Sequence, residues 1–174
     1  MKRIYLGLGS NLGQPVEHLA AGLRALQNLP QACLIAVSRI YRTKPIGGPE
    51  QDDYFNLAAL ITYFGELDEA LSDCQAIEHS NLRCRTERWG PRTLDIDLLY
   101  SPDGQSNNAK LQLPHPRVIE RLFVLAPLLE LPEADRISIN DKLLQEWASL
   151  QDETQVQLTS FYWNGADIVE SNKV

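Results

Sequence analysis

The amino-acid sequence predicts an α+β fold, in which one sheet is covered by a small number of helices. Two observations support this prediction. Apolar runs typical of strands recur along the chain, and stripes of apolar residues at helical spacing separate them in the order β-α-β-β-α-β. The chain has 174 residues, which is enough to bury one core, and no second domain is required.

The first strand is predicted over residues 3–8, and the glycine-containing turn at residues 9–13 ends it. A helix follows, because Pro15 suits a first helical turn and leucines recur at spacings of four and three. These leucines are Leu19, Leu23 and Leu26.

The second strand is expected over residues 34–41, where branched side chains are frequent. Residues 43–53 combine proline, glycine and polar residues without any period, which predicts a long loop. A largely apolar strand over residues 54–63 follows it. A second helix is then indicated by apolar residues at helical spacing, namely Leu67, Leu71, Cys74 and Ile77.

The last strand of the predicted unit runs from residue 93 to residue 100, and helical stretches are expected over residues 118–131 and 141–150. Connections of these lengths predict a ferredoxin-like βαββαβ sandwich, with helices on one face of the sheet and extra C-terminal elements. Residues 1–150 form the expected compact domain. Residues 151–174 are interpreted as a C-terminal extension, in which residues 156–162 form one added strand packed on that domain.

The net charge of −7 argues against a broad nucleic-acid surface, because nucleic-acid phosphates would be repelled. A small anionic ligand in a local basic pocket remains compatible with this charge. Three scattered cysteines indicate neither a disulfide framework nor a zinc site, so we expect a reducing, cytoplasmic environment. No apolar stretch approaches the roughly 18 residues of a membrane span.

The segment from Arg83 to Asp97 reverses its charge over fifteen residues. Its first part is a loop, marked by Gly90-Pro91, in which planar guanidinium groups could close on phosphate oxygens. The arginines of this loop are Arg83, Arg85, Arg88 and Arg92. A solvated charged loop is the alternative, and Arg88 could simply pair with Glu87 on the surface.

Two carboxylates follow the arginine loop at strand spacing. Asp95 and Asp97 alternate with apolar residues, so a strand would project both from the same face of the sheet. Hard oxygen ligands held side by side suit Mg²⁺, which usually takes one or two protein carboxylates together with water and substrate phosphates. The alternative is an edge strand with its polar face in water.

Aromatic residues beside the loops indicate a second ligand. Tyr54 and Trp89 adjoin loop segments, and Asn56 lies nearby in the sequence, so a flat heterocycle could stack there while the amide contacts its polar rim. Phe123, by contrast, fits an ordinary core position as well. His115 stands between two prolines, and a structural role is the alternative to ligand binding.

These residues resemble the 6-hydroxymethyl-7,8-dihydropterin pyrophosphokinase family over about residues 2–150. The most specific part is the run Arg88-Trp89-Gly90-Pro91-Arg92-Thr93-Leu94-Asp95-Ile96-Asp97-Leu98-Leu99. It is supported, in the same order along the chain, by Gly7-Leu8-Gly9-Ser10-Asn11-Leu12-Gly13, Tyr41-Arg42-Thr43, Gln51-x-x-Tyr54-x-Asn56 and Leu113-Pro114-His115-Pro116-Arg117.

The resemblance implies transfer of pyrophosphate from ATP to 6-hydroxymethyl-7,8-dihydropterin, giving AMP and the pterin diphosphate for tetrahydrofolate biosynthesis. It implies two Mg²⁺ ions on Asp95 and Asp97, with Arg83 and Arg92 as further catalytic residues. The ATP-binding residues that it implies are Glu78, Arg83, Arg85, Trp89, Arg92, Lys110, Gln112, His115 and Arg121. The pterin-binding residues that it implies are Thr43, Pro45, Ile46, Tyr54, Asn56, Trp89 and Phe123.

Two alternatives accompany this expectation. Leu82 stands where the family commonly has glycine before the Arg-x-Arg pair, which would stiffen a loop expected to act as a lid. A diverged paralogue that binds pterin or nucleotide with weak or no catalysis is therefore one alternative. An RNA-binding module of the same fold is another, which the acidic charge disfavours. We expect a monomer without membrane or nucleic-acid partners.

Overall fold

The structure, a computed structural model, describes residues 1–45, 49–81, 91–152 and 156–171. The helices in this part of the chain are α1 (Pro15–Gln27), α2 (Leu67–Ser80), α3 (Leu122–Leu128) and α4 (Leu144–Ser149), with 3₁₀ turns at Val118–Glu120 and Ala134–Arg136. The strands are β1 (Lys2–Ser10), β2 (Ala32–Val37), β3 (Tyr41–Thr43), β4 (Tyr54–Tyr63), β5 (Asp95–Tyr100), β6 (Ser106–Asn107), β7 (Gln112–Leu113), β8 (Ser138–Ile139), β9 (Lys142–Leu143), β10 (Val156–Leu158), β11 (Phe161–Trp163) and β12 (Ile168–Glu170). The predicted mixture of helices and sheet is confirmed.

An antiparallel six-stranded sheet forms the centre of the described structure. Its order is β10-β3-β4-β1-β5, and β2 also pairs with β4. At one end of the sheet Gly9 of β1 lies opposite Asn56 of β4 on one side and Asp95 of β5 on the other. This register brings the end of β1 and the starts of β4 and β5 together, which is where polar side chains accumulate.

Helices α1 and α2 cover one face of this sheet. The leucine stripe of α1 is completely buried against alternate residues of β1, such as Ile4 and Leu6. Cys74 and Ile77 of α2 join the same core. Apolar burial of this kind is the main favourable contribution to folding, at about 25 cal/mol per Å² of surface removed from water.

The other face of the sheet is also covered, contrary to the prediction of helices on one face only. Tyr5 and Leu60 project to this face and pack with Leu125 of α3 and Leu144 of α4 in a second core. The continuous apolar run of β4 already pointed to burial on both faces, because a strand with one face in water alternates polar and apolar residues.

The predicted strand over residues 34–41 is in fact two strands, β2 and β3, separated at residues 38–40. Ser38 causes the interruption. Its backbone N–H donates to the Ala58 carbonyl (2.9 Å), and its side-chain Oγ accepts the Ala58 N–H (2.8 Å). Because a side chain takes the place of a backbone carbonyl in the ladder, the chain leaves regular strand geometry here.

The two predicted C-terminal helical stretches are shorter than expected. The stretch over residues 118–131 divides at Arg121, whose extended φ and ψ of −132° and 109° separate a 3₁₀ turn from α3. In the stretch over residues 141–150, Asn140 and Asp141 have positive φ values of 52° and 62°, which suit a tight turn between β8 and β9. Helix α4 therefore begins only at Leu144.

The C-terminal residues add sheet structure to this body. Strand β10 pairs with β3 at the sheet edge, and β11 and β12 form a hairpin whose Phe161 and Trp163 pack against the first core. One strand was expected over residues 156–162, whereas the structure divides these residues between β10 and β11. Among the described residues, no helix combines the length and hydrophobicity needed to cross a membrane.

Candidate functional site

Strand β5 presents two carboxylates side by side at the end of the sheet. Asp95 and Asp97 are half-buried on one face, while Ile96 between them is buried on the other, as their alternation predicts. They lie opposite Gly9 and Gly7 of β1, which have no side chains to fill the space beside them. A Cβ added at Gly9 would come within 3.0 Å of the Asn56 Oδ1 atom, so glycine keeps this side of the carboxylates open.

Arg92 lies directly against the first carboxylate. Its Nη1 atom pairs with Oδ2 of Asp95. The backbone of Arg92 is held by the turn after β1, since its N–H donates to Asn11 Oδ1 (2.8 Å) and its carbonyl accepts the Asn11 N–H (3.0 Å). Burial is the largest single effect and lowers the pKa of Arg92, but the charge and the hydrogen bond of Asp95, with smaller effects from Tyr54 and Asp97, together outweigh it and the net shift is upward. The guanidinium therefore keeps its positive charge at neutral pH.

A group of aromatic and neutral polar side chains lies on the other side of Gly9. Asn56 is buried, and its Nδ2 atom donates to Thr43 Oγ1 at 2.9 Å. The Tyr54 hydroxyl donates to Gln51 Oε1 (3.1 Å), which also accepts from Asn11 Nδ2 (3.0 Å). Burial raises the pKa of Tyr54 above its ordinary value, so this phenol stays protonated at neutral pH.

Arg121 and Phe123 approach the site from the start of α3. The guanidinium carbon of Arg121 lies 5.5 Å from the centre of the Phe123 ring, within the range of a cation–π contact. Burial and the neighbouring cation Arg117 lower the pKa of Arg121. An anionic ligand near this residue would relieve that repulsion.

One cavity of about 400 Å³ joins these groups. On its aromatic and neutral side it brings together the predicted residues Thr43, Tyr54, Asn56 and Phe123. On its charged side it brings together the predicted residues Arg92, Asp95, Asp97 and Arg121. A flat polar ligand and an anionic ligand could therefore bind next to each other in the same cavity.

Other predicted residues lie outside the lining of this cavity. Glu78 is buried behind β5, where its carboxylate accepts the Ile96 N–H at 2.7 Å. Lys110 and Gln112 are exposed on the connection between β6 and β7 and on β7 itself. Pro45 is half-buried after β3.

His115 is half-buried next to the cavity. Its backbone N–H donates to the Leu99 carbonyl (2.8 Å), and its Nδ1 atom accepts the Arg117 N–H (3.2 Å). Burial, followed by the charges of Arg121 and Arg117, lowers the pKa of His115. The imidazole is consequently neutral at neutral pH.

Several predicted site residues lie outside the described residues. They are Ile46, Arg83, Arg85 and Trp89, and the same holds for Leu82. The expected roles of these residues, and of most of the loop that carries the arginines, stay predictions.

Four further charged or polar residues line the cavity but were not among the predicted site residues: Lys44, Gln51, Arg117 and Glu120. The motif that contains Tyr54 and Asn56 begins with Gln51, and Arg117 ends the Pro-His-Pro-Arg run, so both had a sequence signal. Glu120 had none. It reaches the cavity as part of an ion pair with Arg117 (3.3 Å), a pairing that depends on the 3₁₀ turn between them.

The fold and the cavity define an α+β protein with a candidate small-molecule site of mixed charge. The description of the family model that matches residues 5–133 is 7,8-dihydro-6-hydroxymethylpterin-pyrophosphokinase (HPPK). The chain belongs to this family, as the resemblance in its motifs predicts.

Individual relatives agree with the family match. A protein of Haemophilus influenzae named 2-amino-4-hydroxy-6-hydroxymethyldihydropteridine pyrophosphokinase is 38% identical over 142 residues, covering 82% of this chain and 88% of the relative. A Pseudomonas aeruginosa protein of the same name is 42% identical over 132 residues, covering 75% and 81%. Both matches cover most of each protein.

Solved structures show the same fold at low sequence identity. Wild-type HPPK-DHPS of Plasmodium falciparum is similar with a TM-score of 0.67 and 12% identity, over 98% of this chain and 49% of that chain. A triple mutant of the same protein gives a TM-score of 0.70 over 97% and 48%. The chain thus spans about half the length of these solved chains.

Proposed function

We propose that this protein transfers the β,γ-pyrophosphoryl group of ATP to 6-hydroxymethyl-7,8-dihydropterin, giving AMP and the pterin diphosphate in folate biosynthesis. Membership of the pyrophosphokinase family supports the reaction, and relatives that carry the name of this enzyme match most of the chain. They favour an active enzyme over a diverged binding protein. The cytoplasm, where ATP is available, is the proposed location of the reaction.

The observation that carries the proposal is the division of one cavity into two chemically different sides. Tyr54, Asn56 and Phe123 suit a flat heterocycle with polar edges. Arg92 and Asp95 lie on the other side, where phosphates and a cation would be held. Transfer between two substrates requires this adjacency, because bringing reactants together in one orientation is a large part of catalysis.

Magnesium fits the donor set of the charged side. Asp95 and Asp97 offer half-buried oxygen ligands from one strand face, and Mg²⁺ commonly takes two protein carboxylates and completes its shell with water and phosphate. Among the described residues no group of three or more His, Cys, Asp or Glu side chains could hold a metal ion by itself. Substrate phosphates would therefore complete the site, and we propose two ions. Held by Asp95 and Asp97, magnesium would supply positive charge that neutralises the phosphates.

The cationic residues are proposed to hold the triphosphate. Asn11 holds the backbone of Arg92, and Arg92 lines the cavity. We propose that Arg92 and Arg83 contact the phosphoryl group that is transferred. We propose that ATP is also bound by Glu78, Arg85, Trp89, Lys110, Gln112, His115 and Arg121. Because His115 is neutral before ATP binds, it would first contact ATP as a hydrogen-bonding group.

The pterin is proposed to stack between Tyr54 and Phe123. Asn56 would contact its polar edge, and the hydrogen bond from Asn56 to Thr43 fixes the orientation of that amide. The backbone near Pro45 and Ile46 and the Trp89 ring complete the proposed pterin contacts. Attack by the pterin hydroxyl needs alignment and charge neutralisation more than a strong base.

The finer features of the architecture also belong to this proposal. The order of the sheet, with β1 between β4 and β5 and with α1 and α2 on one face, supports a ferredoxin-like βαββαβ unit. We propose a pyrophosphokinase domain over residues 1–150 and an extension over residues 151–174. We also propose a monomer, which light scattering can measure.

An assay with ATP, Mg²⁺ and hydroxymethyl-dihydropterin tests the proposed function directly. We expect AMP to form in an amount equal to the pterin consumed, and none to form without the pterin. Formation of ADP, or AMP formation that does not depend on the pterin, would contradict the proposal. Tight pterin binding without turnover would indicate the diverged binding protein.

A further inference from the structure

The C-terminal segment, residues 156–163, lies against the strand that leads into the aromatic side of the cavity. Val156 of β10 is opposite Thr43 of β3, and Leu158 is opposite Tyr41. Without β10, β3 would be a three-residue strand with an open edge. The segment lies beyond residues 5–133, so the family match assigns it no role.

Thr159 ties this segment to the start of β3. Its backbone N–H and its Oγ1 hydroxyl both donate to the Ile40 carbonyl, at 3.0 Å and 2.8 Å. The same Oγ1 atom accepts the Phe161 N–H at 3.2 Å. Ile40 is completely buried and directly precedes β3. Its carbonyl is therefore held in place at the start of the strand that carries Thr43.

Two further contacts join the C-terminal segment to residues at or next to the main cavity. The Phe161 ring packs edge-on against Phe55, with 6.5 Å between ring centres, and Phe55 stands between Tyr54 and Asn56 on β4. Val156 shares a smaller cavity of about 160 Å³ with Thr43 and Phe123. The segment therefore packs behind the residues that are proposed to surround the pterin.

We propose that β10, Thr159 and Phe161 position the pterin side of the site, with Thr159 as a positioning residue that acts through β3 on Thr43 and Asn56. This inference rests on the proposed function. Thr43 accepts the hydrogen bond that orients the Asn56 amide, and a displacement of β3 would misalign that amide. The carboxylates of the charged side lie on β5, which β3, β4 and β1 separate from β10 in the sheet, so ATP binding should be affected less than pterin binding.

The substitution Thr159→Val tests this role, because valine keeps the shape of the side chain but loses the hydroxyl. We expect the KM for the pterin to rise about fivefold, which corresponds to the loss of one hydrogen bond of about 1 kcal/mol. The KM for ATP and kcat at saturating pterin should stay within twofold of the unsubstituted protein. Thr159→Ser restores the hydroxyl and should restore the KM.

Ser160→Ala is the matched control. It removes the neighbouring hydroxyl, whose hydrogen bond to Glu170 (2.8 Å) stays inside the β11–β12 hairpin, and it should leave both KM values unchanged. An unchanged pterin KM in Thr159→Val, or an equal rise in both KM values, would overturn the positioning role. If the unsubstituted protein forms no pterin-dependent AMP, the proposed function itself fails.

Discussion

At the residue scale, two opposite charges on the charged side of the cavity already neutralise each other before any ligand binds. Arg92 and Asp95 form an ion pair, and Asn11 holds the backbone of Arg92 in place. ATP with magnesium would give each group a new partner, phosphate for Arg92 and the metal for Asp95. Both side chains are already partly buried, so part of their desolvation has taken place before the ligand arrives.

His115 gives a pH-dependent prediction at the same scale. Burial has the largest effect and lowers its pKa, and the positive charges of Arg121 and Arg117 lower it further. The negative charges of Asp95 and Glu120 raise it by less. The folded protein therefore binds fewer protons than the unfolded chain, and stability decreases as the pH falls below about 6.5. An ATP phosphate beside the ring would favour its cation, so ATP should raise the pKa of His115.

An NMR titration of the His115 imidazole measures this directly. Without ligand the midpoint should lie below about 6.5 and should move upward when ATP is added. Arg117→Gln removes a neighbouring cation and should also move the midpoint upward. A midpoint above about 6.5 in the ligand-free protein would contradict the burial argument.

At the scale of elements, the break between β2 and β3 depends on one hydroxyl. The buried Oγ of Ser38 accepts the Ala58 N–H, and Ser38→Ala would leave that donor without its acceptor inside the protein. We expect a loss of about 1 to 3 kcal/mol in the free energy of unfolding, measured by urea denaturation.

Ser72→Ala is the matched control for this prediction. Ser72 is in α2, and its hydroxyl donates to the Asp68 carbonyl on an exposed surface (2.9 Å). Replacing it should change the stability by less than about 0.5 kcal/mol. A Ser38→Ala protein as stable as this control would show that water or a shifted backbone satisfies the Ala58 N–H.

The elements differ in how far the sequence could predict them. The alternation that contains Asp95 and Asp97 sets their shared face locally, because side chains alternate along any strand. The interruption at Ser38 could not be predicted in the same way, since it depends on the partner strand that supplies Ala58. The turn at Asn140 and Asp141 was interpreted as the start of a helix, because the same residues that favour positive φ also favour helix N-termini.

At the scale of the whole molecule, the protein is acidic, yet several arginines line one cavity. The net charge of −7 is spread over the chain, while Arg92, Arg117 and Arg121 line a single recess. A small anion can bind in such a local field even when the molecule as a whole repels long polyanions. The charge argument against nucleic acid is thus compatible with binding of a nucleoside triphosphate.

The sequence predicted one side of the molecule better than the other. The pairing of β1 with β4 and β5, which assembles the site, follows from the predicted order of the elements. The second core around Tyr5 and Leu60 was missed, because the C-terminal helices are short and their attachment to the far face depends on contacts distant in the sequence. The cavity residue Glu120 was missed for a local reason, because its ion pair with Arg117 depends on the 3₁₀ turn between them.

The central claim is that the carboxylates of β5 serve pterin-dependent pyrophosphoryl transfer, and AMP formation by Asp97→Asn tests it most directly. Loss of one proposed metal ligand should reduce the rate at least about a thousandfold, while the thermal unfolding midpoint stays near that of the unsubstituted protein. Asp103→Asn, at a surface pair with Arg3, is the matched control and should retain full activity. AMP formation by Asp97→Asn within tenfold of the unsubstituted protein would contradict the claim.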